Sequence, residues 1–178
     1  MKRKNMCISV LALGIFLVTS LPFAEAAAGD YEIAGGVGMS FSAFRSTQGI
    51  LLGAWITRLG NAHKLRIEPN MEFIGSKSGK SMFLGGVSSV VRLGTDGRSL
   101  NPFLDLGVGV SIGSRKTFIN RDFGGYFFFS PTAGMGIKFG RLASGVSLFT
   151  RWVHHSNANL FPPNMGMDSL YVLLGYSF

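Results

Sequence analysis

The stretch that decides the fold is residues 104–112, which read Leu-Asp-Leu-Gly-Val-Gly-Val-Ser-Ile. Large aliphatic side chains occupy every even position, and aspartate, glycine or serine occupies each position between them. Successive side chains of a β-strand point to opposite faces of the sheet. This period of two therefore predicts a strand with one apolar face and one polar face.

The same alternation recurs along the chain until its last residue, Phe178. It is clear in segments 31–41, 65–73, 127–139 and 168–178, and less regular in 49–59, 81–94 and 142–156. With 104–112 these make eight segments, each long enough for a tilted membrane strand of about 9–11 residues. The last segment also resembles the terminal strand of bacterial outer-membrane barrels, because its apolar alternation ends in phenylalanine.

Two closed architectures fit eight alternating strands. A soluble barrel would bury the large apolar side chains inside, whereas a membrane barrel turns them outward and fills its lumen with small and charged residues. The polar faces carry Glu32, Arg66, Glu68, Glu72, Asp105 and Lys138, charges that would pair within a narrow lumen. The sequence therefore favours an all-β fold, an eight-stranded antiparallel transmembrane β-barrel of the bacterial outer membrane. Pro69 and Pro131 are expected at bulges or strand ends, since proline removes a ladder donor.

The amino-terminal residues have the features of a secretory signal peptide. A basic start precedes an apolar run from about Met6 to Phe23, and Ala24-Glu25-Ala26 matches a cleavage site. We therefore predict a cleaved signal over residues 1–26 and a single barrel domain over residues 27–178. An uncleaved membrane anchor is the alternative.

Composition limits the chemistry that the exported domain can perform. The only cysteine, Cys7, lies in the predicted signal, which excludes a thiol nucleophile or thiolate metal site from the mature chain. No clustered metal ligands, phosphate-binding glycine loop or calcium loop is apparent, so no cofactor or metal is predicted.

The charge balance bears on the partner. The mature chain would carry 14 Lys and Arg against 8 Asp and Glu, a net charge of +6. Export argues against nucleic acid and favours phosphorylated lipid or lipopolysaccharide as the acidic partner, and a merely solvated basic surface is the alternative. Four basic residues lie in or near the connections predicted outside the cell, close to 43–48 and 113–125, and are candidates for such contacts or else solvated loop charges: Arg45, Arg115, Lys116 and Arg121.

A histidine, a serine and an aspartate fall on one face near the outer end of the last two predicted strands. His154 and Ser156 share the parity of the apolar residue Trp152, and Asp168 shares that of Leu170. The loop 157–167 joins the two strands as antiparallel neighbours, so these side chains should meet. A serine nucleophile needs a base, and the base needs an orienting carboxylate.

We therefore predict His154, Ser156 and Asp168 as catalytic residues on a lipid-facing surface. His155 points to the opposite face and is excluded from this set. The alternative is a histidine and a serine that merely sit at a loop edge.

These residues also suggest a family. The run His154-His155-Ser156-Asn157-Ala158, followed by Pro163-Asn164-x-Gly166 and an acid at 168, resembles the lipid A 3-O-deacylases of the PagL type over about residues 151–178. The resemblance implies an outer-membrane esterase that hydrolyses the acyl chain at position 3 of lipid A. It implies Ser156 as nucleophile, His154 as general base and Asp168 as orienting acid.

The resemblance also assigns Asn157 and Asn164 either to oxyanion support or to loop structure. Two positions depart from the family pattern. Glutamate is common where this chain has Asp168, and glycine is common where it has Asn159. Asparagine tolerates left-handed backbone geometry, so the turn at Asn159 is expected to survive.

Other functions remain open on the sequence. A non-enzymatic small outer-membrane barrel, another envelope lipid hydrolase such as a phospholipase, and a soluble lipid-carrying barrel each fit part of the pattern. The predicted partners are lipid A or lipopolysaccharide and other outer-membrane lipids, with no nucleic acid. Both a monomer and a homodimer stay open.

Overall fold

A computed structural model describes residues 30–41, 46–59, 63–95, 99–140 and 144–178. The strands are β1 Asp30–Ser40, β2 Ser46–Arg58, β3 His63–Ser76, β4 Ser81–Gly94, β5 Leu100–Gly113, β6 Thr117–Phe118, β7 Arg121–Asp122, β8 Phe127–Phe129, β9 Thr132–Phe139, β10 Gly145–His155 and β11 Met167–Ser177. The predicted signal peptide, Cys7 and Arg45 lie outside the described residues. Within the described ranges, no helix has the length and apolar character needed to cross a membrane.

The strands close into one antiparallel barrel. Each long strand pairs with the next along the chain, and β1 closes the circle by pairing with β11. Strands β8 and β9 both pair with β5 and together form one wall position, so the barrel has eight strands, as predicted. The shorter strands β6 and β7 pair only with each other, as a hairpin in the connection between β5 and β8.

The two prolines interrupt the ladder in different ways. Pro131 falls in the gap between β8 and β9, where it was expected to end or bulge a strand. Pro69 stays inside β3 opposite Val87 of β4, but the pairing of β3 with β2 is interrupted between Asn70 and Ile67. Both positions fit the loss of a backbone donor.

The two faces of the wall divide as the alternation predicted. Outward side chains are large and apolar, as at Val37, Met71 and Leu174, which are all more than half exposed. Every charged residue assigned to the lumen is buried. This arrangement confirms a barrel with its apolar face outward, which in a membrane contacts lipid.

A closed ring of ion pairs lies within the lumen. Arg66 contacts Glu32 at 2.8 Å and Glu68 at 2.6 Å. Arg92 contacts Asp105 at 2.7 Å and Glu32 at 3.3 Å. Arg151 completes the ring by contacting Glu68 and, at 3.1 Å, Asp105. Three arginines thus alternate with three carboxylates, and the ring has no net charge.

The β6–β7 hairpin covers one end of this lumen. We call it the long-loop end, where β1–β2, β3–β4, β5–β8 and β10–β11 connect. Phe118 and Phe123 from the hairpin region are buried in an apolar cluster with Phe128 and Met167. The hairpin therefore lies directly beside the connection between β10 and β11.

Candidate active site

The candidate site lies on the outer face of β10 and β11 at the long-loop end. His154 stands directly opposite Asp168 in the register of these strands. Their side chains meet with 2.9 Å between His154 Nδ1 and Asp168 Oδ1. The side chains are 31% and 37% exposed, so solvent or a bound molecule can reach them. The predicted proximity of these two residues is therefore observed.

The contact fixes which imidazole nitrogen holds the proton. An ionised carboxylate can only accept hydrogen bonds, so Nδ1–H of His154 is the donor to Asp168. In a neutral imidazole, Nε2 then carries a lone pair and can accept a proton. This tautomer is the one that a general base next to a hydroxyl nucleophile requires.

Neighbouring groups hold both partners in place. Ser40 Oγ–H and Phe41 N–H, at the end of β1, donate to the Asp168 carbonyl at 2.9 and 3.1 Å. The Trp152 ring stacks on the His154 ring, with 6.1 Å between the centroids and 25° between the planes. The imidazole thus has an aromatic neighbour on its own strand and a carboxylate on the next.

Ser156 follows His154 on the same side of the wall. Its backbone pairs with Phe129, donating through N–H at 3.1 Å and accepting through its carbonyl at 2.7 Å. Its side chain is half-buried. In the described part of the chain, no hydrogen bond joins Ser156 to His154. Such catalytic hydrogen bonds often form only once substrate is bound.

A tight turn reverses the chain immediately after Ser156. Ala158 and Asn159 have φ values of 53° and 60°, and Leu160 N–H donates to the Asn157 carbonyl at 3.0 Å. The left-handed geometry expected at Asn159 is confirmed. Ala158 shares that geometry without the advantage of an asparagine or glycine, at a cost of about 1–2 kcal/mol.

The two asparagines occupy different surroundings. Asn157 is buried, and its Nδ2 donates to the carbonyls of Phe123 and, at 2.6 Å, Phe161. Its backbone N–H donates at 3.0 Å to Oδ1 of Asn164, whose side chain is half-buried. Asn157 thus uses its backbone N–H and its Nδ2 in bonds that hold the loop. Asn164 uses its Oδ1 for the loop, and its Nδ2 makes no hydrogen bond among the described residues.

Gly166 brings the returning loop against the catalytic histidine candidate. A Cβ at this position would lie 3.1 Å from Cε1 and 3.4 Å from Nε2 of His154, and φ is 30°. Glycine therefore allows a closer backbone approach to the imidazole than other residues would.

Arg121 takes a role that the sequence reasoning missed. Its Nη1 donates to the carbonyls of Met165 and, at 2.7 Å, Gly166. The sequence predicted a loop charge that contacts lipid phosphate or solvent. No periodic pattern links residues 121 and 166, so nothing in the sequence indicated this contact.

His155 lies on the lumen side, as predicted, and is fully buried. Its Nε2 is 3.1 Å from Glu72 Oε2, and its Nδ1 is 3.0 Å from Ser130 Oγ. Tyr171 O–H donates to the same Glu72 oxygen at 2.5 Å. Among the described residues, no group of three His, Cys, Asp or Glu side chains is arranged to hold a metal ion.

Comparison with known proteins identifies the family. The sequence profile of the family described as Lipid A 3-O-deacylase (PagL) matches residues 34–177 of this chain. The chain belongs to the lipid A 3-O-deacylase (PagL) family. That assignment confirms the resemblance seen in the last 28 residues and extends it over nearly the whole barrel.

A curated relative matches this chain over part of its length. The lipid A deacylase PagL of Pseudomonas aeruginosa is 37% identical over 73 residues, which cover 41% of this chain and 40% of the relative. The match thus spans less than half the length of that curated PagL protein.

Solved structures support the barrel fold. The crystal structure of the outer-membrane enzyme PagL aligns with a TM-score of 0.68 at 23% identity, over 81% of this chain and 97% of that one. Neisserial surface protein A aligns with a TM-score of 0.55 at 10% identity, over 84% and 94% of the two chains. At these identities the likeness concerns the fold, which is the predicted outer-membrane β-barrel.

Proposed function

We propose that this protein is an outer-membrane esterase that removes the acyl chain at position 3 of lipid A. The observation that carries the proposal is the contact between His154 and Asp168 on the outward, lipid-facing side of the barrel wall. Ser156 follows His154 by two residues. A histidine and a carboxylate on such a surface are costly unless they are paired or interfacial. Family membership supports lipid A as the substrate. Residues 1–26 would direct export and then be removed.

The reaction would follow the order of a serine esterase. Ser156 Oγ attacks the ester carbonyl carbon while His154 Nε2 takes the hydroxyl proton. The tetrahedral intermediate collapses, the bond to the sugar oxygen breaks, and that oxygen receives the proton from His154. Water then attacks the acyl-enzyme, again with His154 as base, and the fatty acid leaves. Asp168 holds the imidazole in the required tautomer and stabilises its protonated form.

Asn164 is the better candidate for stabilising the oxyanion. The N–H of Ser156 is bonded to Phe129, and the donors of Asn157 are bonded within the loop. Asn164 uses its oxygen for the loop and so would present Nδ2 to the substrate. Loss of one such donor typically costs about 10²–10³-fold in kcat.

An acyl chain would lie along the wall below the site. Leu148 and Thr150 of β10 and Val172 of β11 line a shallow apolar groove with Met135 and Ile137 of β9. These outward residues continue the faces that carry His154 and Asp168. At about 3.3 Å per strand residue, Thr150 lies about 13 Å along the strand from His154. Lateral entry from the outer leaflet would therefore place the ester near Ser156 and the chain in lipid surroundings.

Mass spectrometry of lipid A after incubation with the purified, folded barrel tests the proposal. We expect the parent protein to release one hydroxyacyl chain and Ser156→Ala to release none. Phospholipid is included as a second substrate. Hydrolysis of phospholipid but not of lipid A would identify the activity as that of a phospholipase. If a folded parent cleaved neither lipid, the enzymatic proposal would be wrong and a structural role would take its place.

A further inference from the structure

The β6–β7 hairpin is joined to the loop that carries the candidate site. Met165 N–H donates to the Asp122 carbonyl at 3.1 Å, and Arg121 donates to the carbonyls of Met165 and Gly166. Gly124, with a φ of 69°, packs so closely that a Cβ there would overlap the Phe161 carbonyl oxygen, so any larger residue would clash with the loop. The two segments therefore form one unit at the long-loop end, although about forty residues separate them.

Arg121 acts on the part of this unit that touches the imidazole. Gly166 lies against the Cε1–Nε2 edge of His154, and two residues later Asp168 holds Nδ1. The segment from Gly166 to Asp168 thus contacts both edges of the ring. Because Arg121 binds the consecutive carbonyls of Met165 and Gly166, it fixes the start of this segment.

The chemistry of arginine suits this task. A guanidinium nitrogen carries two hydrogens in a fixed plane and can donate to two carbonyls at defined angles. The bonds are charge-assisted, and they satisfy two backbone carbonyl oxygens beside the candidate site. A lysine would keep the charge but lose the planar geometry.

We propose that Arg121 is a positioning residue, which sets the orientation of His154 through Gly166 rather than by contacting the substrate. The inference rests on the proposed function of His154 as general base. It predicts that loss of Arg121 lowers kcat and leaves KM nearly unchanged. A phosphate-binding arginine would instead raise KM and would be replaced well by lysine.

The test compares Arg121→Lys and Arg121→Gln with Lys77→Gln. Lys77 is an exposed cation at the same end of the barrel, in the turn between β3 and β4, so its loss matches the change in charge. Misplacing a catalytic group by about 1 Å costs on the order of 10²-fold, so we expect kcat to fall about 10- to 100-fold in both Arg121 variants. KM should stay within about threefold of the parent value, and Lys77→Gln should match the parent.

Two further measurements do not depend on lipid A. One is the rate at which a fluorophosphonate labels Ser156; the other is the downfield proton resonance of the hydrogen bond between His154 Nδ1 and Asp168. We expect slower labelling and a shifted or broadened resonance in both Arg121 variants. If the parent labels normally but does not cleave lipid A, the substrate assignment fails while these readings still decide the role of Arg121.

The inference would be overturned if both folded Arg121 variants kept the parent kcat, labelling rate and resonance. It would also be overturned if KM alone rose and lysine restored it. Should Arg121→Gln fail to fold, Arg121→Lys retains the charge and decides the question.

Discussion

Two adjacent histidines on β10 meet carboxylates on opposite faces of the same wall. His154 contacts Asp168 on the outer face, where the two side chains are 31% and 37% exposed. His155 contacts Glu72 inside the lumen, where the exposed fractions are 0% and 3%. The inner histidine even has a serine, Ser130, within hydrogen-bond distance. Residue types alone therefore do not distinguish a candidate catalytic site from a structural network.

The two sites differ in their exposure and in how many imidazole nitrogens are already hydrogen-bonded. Both nitrogens of His155 have partners within the barrel, so its ring is held rigidly and its neighbours have no route to substrate. His154 uses Nδ1 for Asp168, and among the described residues its Nε2 makes no hydrogen bond. We infer that the outer pair serves chemistry and the inner pair serves stability.

The largest expected difference concerns the two serines. We expect Ser156→Ala to lower the rate of fatty-acid release from lipid A by about 10⁴-fold or more, because it removes the proposed nucleophile. Ser130→Ala should keep the rate within about tenfold, since it removes only two lumen hydrogen bonds, to Ser111 and His155. Initial rates of fatty-acid release measure both. Equal losses in two folded variants would contradict the distinction.

The carboxylates give the next test. Asp168→Asn should lower kcat by about 10³–10⁴-fold while the barrel stays folded, because the amide no longer favours the required tautomer. Glu72→Gln should change kcat far less, since glutamine can still accept from Tyr171. Steady-state kinetics on both variants decides this, with folding checked by heat-dependent gel migration. If Glu72→Gln lowered kcat more than Asp168→Asn does, the inner pair and not the outer pair would be the catalytic one.

The inner histidine should matter for stability instead. His155→Gln is expected to lower the free energy of unfolding by about 1–3 kcal/mol, because buried partners lose their hydrogen bonds. Urea unfolding in detergent or lipid provides the measurement. His154→Gln is the control, and we expect it to change the free energy of unfolding by less. A barrel that tolerates His155→Gln without loss would show that the lumen network is dispensable.

The smallest effect is expected for Asp168→Glu. The resemblance indicates that glutamate is common at this position, so the longer side chain should still reach Nδ1 of His154. We expect kcat to stay within about tenfold of the parent value, by either a gain or a loss. Measuring kcat of Asp168→Glu together with that of Asp168→Asn checks this. A loss as large as that of Asp168→Asn would mean that the 2.9 Å contact depends on the shorter side chain.

Strand period accounts for what the sequence predicted well. Parity alone placed His154 and Asp168 outward and His155 inward, because a strand allows only two directions. The loop 157–167 made β10 and β11 antiparallel neighbours, which was enough to bring a histidine and an aspartate together. The lumen charges followed from the same rule.

Contacts between distant segments were beyond such reasoning. The bonds from Arg121 to Met165 and Gly166, and from Asn157 to Phe123, join loops that have no repeating pattern. The left-handed geometry of Ala158 was also unforeseen, because tertiary packing overrides the local preference of alanine. These are the contacts that shape the site once the strands have positioned it.

Lipid A mass spectrometry with the matched variants His154→Gln and His155→Gln would show most directly which of the two histidines serves catalysis. Both variants make the same chemical change at neighbouring positions of one strand. If His154 is the catalytic histidine, the parent and folded His155→Gln will each release one hydroxyacyl chain, whereas His154→Gln will release none. Release by His154→Gln, with none from a folded His155→Gln, would show that the inner histidine and not the outer one is required.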